Sequence, residues 1–168
     1  MNISMYQASV PRFVNTLNNL SAILGKAQAH AEARKIDPLV LGASRLYPDM
    51  LPLARQVQIA CDSAKGAVAR LAGVEIPKHE DTEKTFAELQ QRIKLTTDFI
   101  AGFKPAQLDG TEDKDVVLKT RGKDTTFKGM QYLFAFAYPN FYFHVTTAYN
   151  ILRHNGVELG KWDFLGTV

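Results

Sequence analysis

The sequence has little of several features that mark common functional classes. Its 168 residues contain one cysteine, so an intramolecular disulfide is excluded and a reducing compartment is expected. That residue, Cys61, falls in an apolar helical stretch, which favours a small buried residue over a nucleophile. A Gly-rich phosphate loop, a nucleophile elbow, a cysteine pair and an HExxH motif are all missing, so the best-known signals of nucleotide-binding, hydrolase and metalloprotease sites are absent.

The charge and hydropathy patterns argue against nucleic acids and membranes as partners. The formal net charge is +3, but lysine and arginine are interspersed with acids and form no basic tract. The longest apolar stretch, residues 132–148, contains Pro139, Asn140 and His144 and is too short to span a bilayer comfortably. The first residues lack the basic and apolar regions of a signal peptide. We therefore expect a cytoplasmic protein that binds neither nucleic acid nor membranes.

Apolar residues recur with helical spacing in the N-terminal half. A first stripe, which alternates spacings of four and three, predicts a long helix suited to bundle packing. Its members are Phe13, Leu17, Leu20, Leu24, Ala27 and Ala31. Pro11 is expected near the start of this helix, where a missing N–H costs least. Asp37 followed by Pro38 indicates that a helix restarts there. A second long helix is predicted from Leu53 to the stop signal Gly73.

Two further helices are predicted in the C-terminal half. Asp81 or Thr82 is expected to cap the third helix. The fourth runs over about residues 129–153, and a kink is expected near Pro139. The tail contains the single tryptophan, Trp162, among other apolar residues, and is expected to dock on the bundle or on a partner.

A small β-hairpin is predicted in the long connection before the fourth helix. Residues 116–120 and 123–127 have strand-like composition and flank Arg121-Gly122, a possible two-residue turn. A lone hairpin is marginal unless it packs on other elements. The expected fold is therefore all-α, a single domain over residues 1–168. It is an up-down-up-down four-helix bundle decorated by this hairpin.

The fourth helix holds the best candidate for a chemical site. His144 lies on the same side as Asn140 and Thr147, and the closest polar candidates on the second helix are Gln58 and Asp62. This mixture of residues can line a small-ligand pocket, or it can be a hydrogen-bonded polar seam in an ordinary core. Aromatic residues cover every side of the fourth helix, which is typical of the most buried helix in a bundle or of one with a face in a subunit interface.

Several segments resemble an uncharacterised bacterial family. They are residues 5–11, 56–62 and 140–149, with shorter matches at 153–157 and 165–166. The chain resembles the domain-of-unknown-function family numbered nineteen ninety-three. More distantly it is similar to the DinB/YfiT-like superfamily of four-helix bundles. The resemblance extends over essentially the whole chain, and the fold that it implies agrees with the fold predicted from spacing.

The resemblance also implies where a metal site would stand. Several members of that superfamily hold a divalent metal with three histidines, one on the second helix and two one turn apart on the fourth, and some use it to activate a low-molecular-weight thiol. His144 stands where the first member of the pair is expected, but Ala148 follows one turn later and the second helix has no histidine. The resemblance therefore implies that the triad is missing. His144 with Asp62 or Gln58 is the remaining candidate, and it supplies fewer protein ligands than a zinc site usually has.

Two functional hypotheses follow. The first is a non-catalytic or small-ligand-binding homodimer that keeps the superfamily fold without its metal and without a cofactor. Its candidate pocket residues are His144, Asn140, Thr147, Asp62 and Gln58. The alternative is a thiol-dependent transferase-type enzyme with an atypical divalent-metal site around His144, where the imidazole acts as a ligand or general base.

Overall fold

The computed structural model describes residues 3–120 and 122–166 and is mostly helical, with one two-stranded antiparallel sheet. The four long helices are α1 (Met5–Arg34), α3 (Leu53–Ala72), α4 (Phe86–Ala101) and α6 (Tyr138–His154). The short helices are α2 (Pro38–Ala43), α5 (Gly129–Gln131), α7 (Lys161–Leu165) and a 3-10 turn (Pro105–Gln107). The strands are β1 (Asp115–Thr120) and β2 (Lys123–Lys128). Within the described ranges, no helix is long and apolar enough to cross a membrane.

Helix α1 has the predicted apolar stripe but begins earlier than expected. All six predicted members, from Phe13 to Ala31, are buried. The helix starts at a capping box, in which the side chain of Ser4 accepts from the backbone N–H of Gln7 and the side chain of Gln7 accepts from the backbone N–H of Ser4. The prediction that Pro11 lies near the start was therefore wrong. Pro11 lies inside the helix, where it cannot donate to the carbonyl of Gln7.

The restart and stop signals of the next two helices are confirmed. The carboxylate of Asp37 accepts from the backbone N–H of Leu39 at 2.9 Å and caps α2. Pro52 precedes α3 as its N-cap, and Gly73 ends that helix with a φ of 75°. A positive φ is easily adopted by glycine, which explains the sharp stop.

Helix α4 begins later than predicted. Neither Asp81 nor Thr82 caps it. The N-cap is Thr85, whose hydroxyl accepts from the N–H of Glu88 while the Glu88 carboxylate accepts from the N–H of Thr85. Asp81 is instead drawn into an ion-pair cluster with arginine side chains. A tertiary interaction has thus overridden a good local capping signal. Gly102 is the C-cap.

The hairpin forms and packs on the core. Its register pairs Thr120 with Lys123, as a two-residue turn requires. Of the predicted turn residues, Gly122 has a φ of 80°, and Arg121 lies outside the described residues. Val116 and Leu118 are buried, so one face of β1 joins the core. This packing gives the hairpin the support that a lone hairpin lacks.

A π-helical segment precedes Pro139, near which a kink is predicted. Residues Tyr132–Ala137 form this segment between α5 and α6. Proline lacks a backbone N–H, and its ring crowds the carbonyl four residues earlier. A local shift to the wider π-helical bonding pattern accommodates both effects, and such segments are frequent at functional sites.

The long helices pack in a specific order around the core. Helix α1 contacts α4 most extensively, and α3 contacts both α4 and α6. The first long helix therefore lies beside the third, and the second lies beside the fourth. The C-terminal α7 packs on α1, where Lys26 pairs with Asp163 at 2.6 Å. Trp162 itself remains 72% exposed, so the tail docks through its other residues.

Candidate functional site

His144 faces α3 and is held by a glutamine. Its Nδ1 lies 2.7 Å from Oε1 of Gln56, and Nε2 of Gln56 donates to the carbonyl of Leu51 at 3.0 Å. Because that carbonyl can only accept, it fixes the orientation of the amide, and Oε1 must accept from His144. The imidazole therefore carries its proton on Nδ1. Burial, assisted by the positive charge of Arg55, lowers the pKa of His144 below its usual value and keeps the ring neutral.

The residue one turn after His144 is Ala148, and it belongs to the apolar core. Ala148 is fully buried and offers no ligand atom. The hydroxyl of Thr147 donates to the carbonyl of Phe143 at 2.7 Å, which is a common use of a buried threonine within a helix. Thr147 thus lies near His144 along the chain, but its polar atom is used inside its own helix.

Asn140 borders an open cleft. The cleft lies between α3, β1 and the π-helical segment and has a volume of about 270 Å³. Nδ2 of Asn140 donates to the hydroxyl of Ser63 at 2.9 Å, which fixes the amide at the border of the cleft. The polar residues of the cleft are Asp62, Ser63, Arg70, Lys119, Tyr132 and Asn140. Its apolar wall is formed mainly by Ile59, Leu118 and Phe136.

Gln58 and Asp62 are directed toward α4 and the segment that precedes it. The amide of Gln58 accepts from Arg55 at 2.7 Å and donates to Glu83 at 2.9 Å. Asp62 pairs with Arg92 at 2.9 Å and with Lys65 at 3.0 Å. The five predicted pocket residues therefore do not form one site, because none of these contacts of Gln58 and Asp62 includes His144. Asp62 reaches the cleft that Asn140 borders, whereas Gln58 does not line it.

Arg92 is the centre of a charged cluster that the sequence reasoning missed. Its side chain is 1% exposed and pairs with Asp62, Asp81 and Glu83, each within 3.2 Å. Burial alone would lower the pKa of Arg92, but the hydrogen bond to Glu83 and the negative charges of Asp62 and Glu83 outweigh it and raise that pKa. Its position in the sequence could have revealed that it is buried, since Arg92 follows Leu89 by three residues and so falls on the apolar face of α4. An arginine at such a position requires acidic partners.

The described residues do not form an evident metal centre. No group of three or more histidine, cysteine, aspartate or glutamate side chains in the described ranges is arranged to hold a metal ion. Cys61 is fully buried, and burial raises the pKa of its thiol to about 12, which leaves a negligible thiolate fraction near neutral pH.

Comparison with known proteins shows to which family the chain belongs. The family model described as Domain of unknown function (DUF1993) matches residues 5–165. The chain belongs to this family. A crystal structure of a DinB family member protein from Shewanella denitrificans is similar over 97% of this chain and 92% of that chain. The two share 47% sequence identity and a TM-score of 0.92. No curated protein matches the chain. The resemblance seen in the sequence is thus confirmed, and the protein is DinB-like.

Proposed function

We propose that this DinB-like protein is a small-molecule-binding, non-catalytic protein that uses the cleft between α3, β1 and the π-helical segment. Its four long helices form one bundle domain that serves as the frame of the site. The observation that carries the proposal is the cleft itself, where the amide of Asn140 is fixed by Ser63 and Phe136 contributes an apolar side chain. A concave site with an apolar wall and a few oriented polar groups is the usual form of a ligand site.

The position of the cleft supports this use. It lies against the π-helical segment, and the residues that border it come from four separate elements, namely α3, β1, the π-helical segment and α6. Asn140 follows Pro139 at the start of α6, so the distortion before Pro139 also sets the orientation of the amide. His144 lies one turn further along α6 and is hydrogen-bonded to Gln56. In this proposal it supports the packing of α6 on α3 and does not contact the ligand.

Benzamide is a suitable first probe because it combines an aromatic ring with a neutral amide that can bond to Asn140 and Ser63. A compound of this size is expected to bind with a roughly millimolar Kd. Titration should shift the side-chain amide signal of Asn140 in nitrogen–proton correlation spectra. An Asn140→Leu variant should lose most of the binding. The matched control is Asn150→Leu, an exposed position on the same helix, and it should bind as the wild type does. Equal binding by both variants would exclude the cleft as the site.

We propose further that the protein is a cytoplasmic homodimer. Support comes from three aromatic side chains near the start of the fourth helix, one exposed and two partly exposed. Phe134 is 50% exposed and meets Tyr138 edge-on, and Tyr138 meets Tyr142 in the same way. We call Phe134, Tyr138 and Tyr142 the aromatic row. A row of aromatic side chains that remains partly exposed is typical of a surface that a second protein surface covers.

A further inference from the structure

We propose that the cleft takes an anionic ligand, a small organic acid or phosphate ester, whose negative group is bound by Arg70. This inference rests on the proposed function and specifies the chemical class of its ligand. Arg70 lies in the last turn of α3 and borders the cleft on one side. On its other side lies a second hollow of about 610 Å³, which Lys65 and Lys78 also line.

The guanidinium of Arg70 has no acidic partner in the described part of the chain. Each of the ion pairs found there joins other residues, whereas Nη1 of Arg70 donates to the hydroxyl of Tyr132 at 3.0 Å. Arg70 is half-buried, so its charge is less screened than that of a fully exposed arginine. A planar guanidinium with unused donors is suited to bind carboxylate or phosphate oxygens.

Gly66 allows Arg70 to take this position. The guanidinium lies so close to Gly66, one turn earlier on α3, that a Cβ there would collide with Nη1 and would stand 3.3 Å from Cζ. Any larger residue at position 66 would therefore displace the guanidinium. The hydroxyl of Tyr132 holds the cation in the space that Gly66 leaves, which reduces the entropy cost of fixing it on ligand binding.

The neighbouring groups favour an anion. Tyr132 accepts from Arg70, and burial raises the pKa of its phenol, so the hydroxyl keeps a proton that it can donate to a ligand. Lys119 adds a second positive charge at the exposed border of the cleft. The one carboxylate in the cleft, Asp62, is already paired with Arg92 at 2.9 Å and with Lys65 at 3.0 Å. Its charge therefore does not cancel that of Arg70.

The apolar wall of the cleft determines the chemical character of the rest of the ligand. Ile59, Leu118 and Phe136 offer no hydrogen-bonding side chain, so the part of the ligand that faces them is aliphatic or aromatic. A free inorganic anion would leave this wall without a partner. The cleft is thus matched to a compound that has one charged end and one apolar end.

The test compares benzoate, phenyl phosphate and the neutral benzamide by calorimetry and by the shift of the Asn140 amide signal. Benzoate or phenyl phosphate should bind the wild type at least about tenfold more tightly than benzamide, because charge-assisted hydrogen bonds to Arg70 are stronger than the neutral hydrogen bonds of an amide. The tighter of the two identifies the carboxylate or the phosphate as the preferred group. Arg70→Gln should bind benzoate and phenyl phosphate no more tightly than it binds benzamide.

Two further variants test whether anion binding depends on the guanidinium of Arg70 in its observed position and not on positive charge elsewhere on the protein. Gly66→Ala keeps the charge of Arg70 but displaces its guanidinium, so it should weaken anion binding, by less than Arg70→Gln does. Lys104→Gln removes an exposed positive charge outside the cleft and should bind both anions as the wild type does. Thermal unfolding confirms that each variant is folded. Equal binding of benzoate, phenyl phosphate and benzamide, unchanged in Arg70→Gln, would overturn the anion proposal and leave the cleft proposal standing. Binding of none of the three would overturn both.

Discussion

His144 on α6 donates a hydrogen bond of 2.7 Å to the side-chain oxygen of Gln56 on α3. The amide of Gln56 is held in turn by the carbonyl of Leu51, just before α3 begins. The bond joins the two long helices that contact each other most extensively, and it fixes the neutral tautomer of the imidazole. Protonation would leave this bond in place but would put a positive charge on a buried ring, so it is linked to how well these two helices stay packed.

This link predicts a loss of stability in weak acid. Burial lowers the pKa of His144 below its value of 6.5 in an unfolded chain, so between these two values the unfolded state binds more protons than the folded state. The stabilising contribution is fully present above the unfolded value and is lost as the pH falls through the folded value. His79, whose pKa burial also lowers, acts in the same direction. The free energy of unfolding, measured with urea, should therefore fall between about pH 7.5 and pH 5.

A Gln56→Glu variant separates His144 from His79. A carboxylate beside the imidazole favours its protonated form and should raise the pKa of His144. The loss of stability between pH 7.5 and pH 5 should then become smaller, even though the variant loses the bond to Leu51 and is less stable overall. Gln131→Glu, at an exposed position, supplies the same change of charge as a control and should keep the wild-type slope. An unchanged slope in Gln56→Glu would show that His144 does not titrate as proposed.

Local signals in the sequence specified most element boundaries. The stripe from Phe13 to Ala31, the restart at Asp37 and the stop at Gly73 all depend on neighbours along the chain, and each is confirmed. The start of α4 was missed because two caps competed. Asp81 and Thr85 both suit that role, and the choice depended on arginines that the folded chain brings to Asp81.

The spacing of apolar residues could not predict which helices contact each other. The apolar stripes specify which face of a helix is buried, but not which helix lies beside it, so the pairing of α1 with α4 did not follow from them. The candidate site shows the same limit. The sequence placed Asn140 and His144 on one side of the fourth helix, but their partners Ser63 and Gln56 depend on how α6 is aligned against α3. Arg70 had no local signal, because its role depends on the hairpin and on Tyr132.

Removal of the Arg92 side chain should be among the more destabilising single changes outside the apolar core. Arg92→Met would leave Asp62, Asp81 and Glu83 close together without their shared cation. Loss of one partner of a buried pair costs about 3–5 kcal/mol, and partial exposure of two of these acids reduces the expected cost to about 2–4 kcal/mol. Lys94→Met, which breaks an exposed pair with Asp98, should cost less than about 0.5 kcal/mol. Urea unfolding of both variants measures the contrast, and equal stabilities would refute a structural role for the cluster.

The homodimer proposal predicts that a charge on the aromatic row dissociates the protein. Light scattering at micromolar concentration should give about twice the chain mass for the wild type, and Phe134→Lys should give the mass of one chain because a lysine would be buried without a partner. Val117→Lys introduces the same charge at a position in β1 that is 58% exposed, and it should remain dimeric. A strictly monomeric wild type would end this proposal. A dimeric Phe134→Lys would place the interface elsewhere on the surface.

Metal analysis separates the binding-protein proposal from the alternative of a thiol-dependent transferase. Zinc sites in proteins usually take three or four protein ligands, and the described residues around His144 offer no second histidine because Ala148 occupies the position one turn later. Protein purified without a histidine tag should therefore contain far less than one metal ion per chain. His144→Ala should have the same metal content as the wild type, and so should His154→Ala, which changes an exposed histidine on the same helix. Stoichiometric metal that is lost in His144→Ala but kept in His154→Ala would contradict the non-catalytic proposal. It would instead assign His144 as a ligand of an enzymatic metal centre.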